Sequence, residues 1–128
     1  MAKQFTLGKN ERLKSRKSIE QLFSEGKKIV VTPYRIVYVV VRSEEPGVLF
    51  GVGVPAKSFK KAVDRNRIKR LTREAWRLQK ITLQEKLKVN RSSLNVFFIY
   101  TGKELPVYNE IYKKMGAAIK KLERSIDL

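Results

Sequence analysis

"KKAVDRNRIKRLTREAWR", residues Lys60 to Arg77, holds eight Lys or Arg among eighteen residues against two acids, Asp64 and Glu74. Like charges at that density repel, so the stretch calls for a fold that anchors it and a partner that neutralises it. The spacing predicts a helix from about Ala62 to Lys80. At about 100° per residue, Ile68, Leu71, Ala75 and Leu78 fall on one side. Asn66, Lys69, Arg70, Arg73, Arg77 and Lys80 fall on the other, with Arg65 and Arg67 on the flanks. An ordinary solvated helix face mixes signs through i,i+4 pairs, each contributing about 0.2–0.5 kcal/mol. Here Glu74 is placed to pair with Arg70 or Arg77 and the other cations have no acid nearby. Arg outnumbers Lys, and its planar fork of donors suits phosphate. The broad ridge, with Asn66 as its main neutral polar group, favours recognition of a nucleic-acid backbone over base sequence.

The rest of the chain agrees with that direction. Its 128 residues suit a single domain, and 42% hydrophobic content indicates a packed core rather than a disordered basic tail. Lys and Arg number 29 against 12 Asp and Glu, a net charge of +17 with no histidine. An excess of that size concerns partners, and a polyanion relieves it. A membrane is the weaker candidate. The longest apolar run, Ile36 to Val41, has six residues, far short of the roughly 20 a spanning helix needs. The first residues, "MAKQFTLGKNERLK", lack the apolar core of a signal peptide. The chain has no Cys, which fits the cytoplasm and excludes disulfides and thiolate metal sites.

Residues 1–14 read as extended. Ser15 can cap a short helix whose Ile19, Leu22 and Phe23 share a face and which stops at Gly26. From about Ile29 to Val41 the β-branched density predicts one strand, with Pro33 at an edge or bulge. Alternation puts Tyr34, Ile36, Tyr38 and Val40 on one face and Val37, Val39 and Val41 on the other. "SEEPG" (Ser43 to Gly47) is turn chemistry, so Val48 to Val54 is expected to return as the second arm of a hairpin. After the basic helix, "LQEKLK" extends it or starts another, "VNRSS" reads as loop, and Asn95 to Thr101 as a strand. Pro106 opens a final helix with an apolar stripe through Val107, Ile111, Met115, Ala118, Ile119, Leu122 and Ile126. A strand–helix–strand unit after a hairpin predicts a mixed sheet with helices packed on it.

Within the basic stretch, Ala62, Val63, Arg65, Asn66, Arg67, Lys69, Arg70, Arg73 and Glu74 closely resemble the signature of the bacterial ribonuclease P protein component. The resemblance extends upstream to "RLKSRKSIEQLFSEG" and "FGVGVPAK" and downstream to the late strand and helix, nearly the whole chain. It implies an α/β (α+β) two-layer sandwich, ribosomal protein S5 domain 2-like. A mixed central sheet would pack with about three helices and carry a left-handed βαβ crossover. It also implies the protein subunit of an endoribonuclease whose catalyst is a partner RNA, removing the 5′ leader of precursor tRNA. Magnesium would be held mainly by that RNA. On this reading Arg65, Asn66, Arg67, Lys69, Arg70, Arg73 and Arg77, with Lys57, Lys60 and Lys61, contact RNA. A cleft between the first helix and the sheet, with Ile19, Phe23, Tyr34 and Tyr38, would hold the leader.

The chain departs from the family's pattern in four places. Ile19 stands where an aromatic is expected, Lys57-Ser58 replaces a Lys-Lys pair, Pro55 replaces a small polar residue, and residues 81–94 form a longer connection. The residues themselves offer no catalytic or metal site: the acids are scattered, Glu44 and Glu45 being the only adjacent pair, and no nucleophile–base pair is visible. No obligate protein partner is evident. A structural RNA-binding protein, ribosomal or an assembly factor, is the alternative, and a DNA-binding regulator the third reading.

Overall fold

The computed structural model describes residues 16–126. The extended reading of residues 1–14 and the Ser15 cap lie outside that range. The elements run α1 (Arg16–Glu25), β1 (Lys27–Val31), β2 (Tyr34–Arg42), β3 (Val48–Gly53), α2 (Ala62–Gln79), α3 (Ile81–Val89), β4 (Ser92–Tyr100) and α4 (Tyr108–Ile126). The expected helices and mixed sheet are present, and the 81–94 connection supplies a fourth helix. In α3 the apolar side chains Leu83 and Leu87, four apart, are buried.

Two expectations about strands need correction. The stretch from Ile29 to Val41 is two antiparallel strands, paired from Lys27↔Tyr38 to Val31↔Tyr34. Pro33 sits in the tight turn between them, where its missing N–H costs no ladder bond. Nor does Val48–Val54 form a hairpin arm with β2. The sheet order is β1-β2-β4-β3, so β4 lies between them, antiparallel to β2 and parallel to β3. Neighbouring strands lie about 4.8 Å apart, and residues 43–47 easily reach across the position that β4 fills. Chain β3–α2–α3–β4 is therefore the strand–helix–strand crossover.

Period-two alternation then decides which side chains meet which helices. Tyr34, Ile36, Tyr38, Phe50, Leu94, Val96 and Phe98 face α2, α3 and α4 and form the main core. Val37 and Leu22, with Ile19, Val39, Leu49 and Phe97 beside them, form a second cluster under α1 on the opposite face. Gly26 makes the turn from α1 into β1 possible. A Cβ there would lie 2.5 Å from the Leu22 carbonyl oxygen and 2.8 Å from Val37 Cγ1.

Helix α2 is anchored more heavily than its sequence suggested. Its buried side chains are Ile68, Thr72, Ala75 and Trp76. The Trp76 indole stacks on Phe50 at 4.6 Å. Thr72 Oγ1 donates to the Ile68 carbonyl (2.8 Å) and meets the Tyr34 hydroxyl at 2.7 Å. Leu78, expected as an anchor, is exposed, because α2 rests on the sheet through Thr72 and Trp76 instead. Helix α4 packs beside α2, where Gln79 Nε2 donates to the Tyr112 carbonyl (2.9 Å). Gly116 gives that side chain room: a Cβ there would stand 2.9 Å from Gln79 Oε1.

Candidate nucleic-acid interface

Charge on α2 points away from the sheet. Asn66, Arg67 and Arg70 are exposed, and Lys69 and Arg73 are half-exposed. Lys57, Lys60 and Lys61, on the loop leading into the helix, are exposed as well. Their loop is held in place by its own backbone. The Pro55 carbonyl accepts from the amides of Ser58 (3.1 Å) and Phe59 (3.2 Å), so proline at this position starts a compact turn. Phe59 is buried beneath it.

Arg65 stands apart from the others in this motif. Its Nη1 donates to the carbonyls of Phe59 (2.6 Å) and Lys60 (2.9 Å). The guanidinium thus ties the lysine loop to the first turn of α2, whose N-cap, Lys61, offers no side-chain cap. Arg77 is also engaged within the protein. It pairs with Glu74, Nε donating to Oε2 at 3.1 Å and Nη2 to Oε1. That hydrogen bond holds the Glu74 carboxyl below its ordinary range. Lys80, placed on the ridge by the helical projection, is instead buried. Helix α2 ends at Gln79, and Lys80 lies at the joint with α3. The open ridge therefore consists of Asn66, Arg67, Lys69, Arg70 and Arg73, continued by the loop lysines.

The expected aromatic platform needs a larger correction. Tyr34 and Tyr38 do not meet Phe23. Both belong to the main core on the helical side of the sheet, at 0% and 5% exposure, while α1 lies on the other side. Burial pushes the Tyr34 phenol up to about 12, the Thr72 contact offsetting part of the cost. Ile19 and Phe23 do reach the α1 side. Phe23 remains 36% exposed and sets its ring edge-to-face against Phe97, centroids 5.4 Å apart.

Phe97 is the residue that sequence reading missed. Its ring lies over Gly53, where a Cβ would come within 3.0 Å of Phe97 Cε1. Leu49 packs into the same cluster. The exposed Arg35 lies on this face too, paired to Ile99 one same-face step from Phe97. Alternation within "NVFFIY" was the available signal, since Asn95, Phe97 and Ile99 must face opposite to Val96, Phe98 and Tyr100. The result is a half-exposed aromatic shelf, Phe23 and Phe97, with Arg35 and Leu49 around it.

Among the described residues no group of three or more His, Cys, Asp or Glu could hold a metal ion. The described side chains thus bring together no carboxylate cluster for a protein-held Mg2+. No described helix is long and apolar enough to cross a membrane.

Comparison with known proteins agrees with the motif. The family model described as Ribonuclease P matches residues 7–123. The ribonuclease P protein component of Porphyromonas gingivalis strain W83 is 38% identical over 118 residues, covering 90% of this chain and 85% of the relative. That of Syntrophus aciditrophicus is 31% identical, covering 97% of each. Among solved structures, a Staphylococcus aureus RNase P protein mutant with defective mRNA degradation activity superposes with a TM-score of 0.64, covering 96% of this chain and 97% of that one. A second S. aureus RNase P protein structure gives 0.58, covering 88% and 94%. Both are 17% identical, so they speak for the fold alone. The family match and the identity to the P. gingivalis protein together show that this chain belongs to the ribonuclease P protein component family.

Proposed function

We propose that the chain is the RNA-binding protein subunit of a cytoplasmic ribonucleoprotein ribonuclease P, an endoribonuclease that removes the 5′ leader of precursor tRNA. The observation that carries this reading is the α2 ridge. It holds the family's motif on a helix whose exposed polar side chains include Asn66, Arg67 and Arg70, anchored by Trp76 and Thr72 in the core. Arginine forks spaced along a rigid helix fit the phosphates of a folded RNA, and each contact releases counterions. The partner for this ridge is the catalytic RNA.

The leader belongs on the opposite face of the sheet. Single strands stack on aromatic rings beside positive charge, and the Phe23–Phe97 shelf with Arg35 offers both. Ile19 adds apolar contact rather than a second stacking ring. The hydrolytic chemistry and its magnesium are assigned to the RNA. The protein's part is to hold the RNA and the leader in register, a positioning contribution.

The test is reconstitution. Protein with its cognate RNA is expected to mature precursor tRNA at magnesium concentrations where the RNA alone is slow, and protein alone to leave the precursor intact. Efficient cleavage by the protein without RNA would overturn the assignment of catalysis to the RNA.

A further inference from the structure

A second charged helix lies next to α2. On α4 the pairs Lys113-Lys114 and Lys120-Lys121 are seven residues apart, and Arg124 follows one turn later. At about 100° per residue all five fall within a sector of about 120°, with Ala117 between them. All five are exposed. From Lys113 to Arg124 the stripe runs about 16 Å along the helix. The opposite side of α4, Ile111, Met115, Ala118, Ile119, Leu122 and Ile126, is buried.

An ordinary solvated face would intersperse acids. Of the two on α4, Glu123 is turned toward α3, accepting from Thr82 Oγ1 at 2.8 Å. Glu110, in the first turn, lies on the same side as the stripe, three and four residues before Lys113 and Lys114, and is the one acid at its head. Among the described residues, Lys113, Lys114, Lys120 and Arg124 meet no acid within ion-pair distance. Lys121 reaches the Val30 carbonyl of β1 at 3.3 Å. Lysines along a free strand edge guard against edge pairing, and Lys27 and Lys28 on β1 are explained that way. The α4 stripe guards no edge over most of its length.

The head of the stripe adds a shape. An open pocket of about 680 Å³ lies between the β1–β2 turn, the β4–α4 loop and the start of α4. Pro33, Leu105, Pro106 and Ile111 give it apolar walls, and Lys103, Lys113 and Lys114 line it together with the acids Glu104 and Glu110. A flat lipid surface has no use for such a recess. Membrane docking also needs apolar side chains along the charge; the exposed Leu105, Val107 and Tyr112 lie only at the head of α4, and the stripe itself holds only Ala117.

We infer that α4 carries a second RNA-binding surface, in which Lys113, Lys114, Lys120, Lys121 and Arg124 grip phosphates while the pocket at their head seats an unpaired base. The inference rests on the RNA-binding reading of the chain. RNA then lies across two neighbouring helices of the same layer, α2 supplying the arginine ridge and α4 the lysine stripe. Unpaired bases are recognised by burial and stacking in such recesses.

The experiment measures binding of the full chain to its cognate ribonuclease P RNA over a range of salt. One variant carries Lys113→Gln, Lys120→Gln and Arg124→Gln, another Arg67→Ala and Arg70→Ala, and thermal melting checks that each remains folded. The α4 variant is expected to bind at least tenfold more weakly at physiological salt. Its salt slope should be shallower by about 2, since each phosphate contact contributes roughly 0.7–0.9. Loss for the α2 variant with no loss for the α4 variant would overturn this inference and leave the α2 reading standing. No loss for either would overturn the RNA-binding reading itself. Phosphatidylserine-containing vesicles form the third arm. Vesicle binding that the α4 changes abolish, with RNA binding intact, would assign the stripe to a membrane and also overturn the inference.

Discussion

The two faces of the sheet receive the same kinds of side chain and treat them differently. On the helical side, Tyr34, Phe50, Phe98 and Tyr100 interlock with Trp76 and are nearly or wholly withdrawn from solvent. Three helices cover that face. On the other side, among the described residues, the ten-residue α1 alone covers Val37, Val39, Leu49 and Phe97, and Phe23 at its margin stays 36% exposed. An aromatic residue thus becomes core or contact surface according to how much helix lies over it, not according to its type. The face left partly open is the one available to a ligand that stacks.

Truncating the two neighbouring phenylalanines of β4 is the sharpest way to break that contrast. Phe98→Ala should cost about 3–5 kcal/mol of folding stability, as expected for a fully buried ring. Phe97→Ala should cost clearly less, because part of its ring is already in water. Urea unfolding followed by the fluorescence of Trp76, the only tryptophan, measures both. Equal losses would remove the difference between the faces.

A smaller effect concerns the substrate. Phe23→Ala or Phe97→Ala in the reconstituted enzyme should weaken binding of precursor tRNA relative to mature tRNA by about 1–3 kcal/mol, the stacking of one base. Competition between the two RNAs reads this ratio directly, and an unchanged ratio would remove the leader from the shelf.

The smallest effect is expected at Tyr34. Tyr34→Phe removes the hydroxyl contact with Thr72, while Thr72 keeps its bond to Ile68. The cost should be about 0.5–1.5 kcal/mol, with no change in the precursor-to-mature ratio. The substitution should also alter the alkaline limb of the stability curve. Because burial raises the phenol from 10.0 to about 12, the folded state favours its neutral form. That contribution is complete below pH about 10 and is lost as the pH rises toward about 12. Denaturation midpoints across that range should fall less steeply in the variant.

The local parts of this molecule were legible in its sequence. Helix periodicity is a short-range signal, so the basic ridge, the face of Ile19, Leu22 and Phe23 and the apolar stripe of α4 from Ile111 to Ile126 could be read from spacing; Val107, expected in that stripe, precedes the helix and is exposed. Alternation in β2 likewise separated Tyr34 and Tyr38 from Val37 and Val39. What spacing could not supply was the partner of each face. Which strand lies beside β2 depends on β4, some 50 residues away in the chain, and without that neighbour Val48–Val54 looked like a hairpin arm. The same gap put Tyr38 with Phe23, since periodicity says that two faces exist but not which one α1 covers. Lys80 was misjudged for a different reason: its charge suggested solvent or RNA, whereas the joint between α2 and α3 buries it. Spacing also could not show that Arg65 holds the carbonyls of Phe59 and Lys60.

If the two faces handle two different RNAs, as proposed, one paired experiment separates them. Holoenzyme is assembled with Arg67→Ala/Arg70→Ala protein or with Phe23→Ala/Phe97→Ala protein. Affinity for the catalytic RNA and the preference for precursor over mature tRNA are then measured for each. A crossed result is expected: the arginine changes weaken the protein–RNA complex and leave the preference intact, and the phenylalanine changes do the reverse. Parallel losses of both properties in both variants would contradict it.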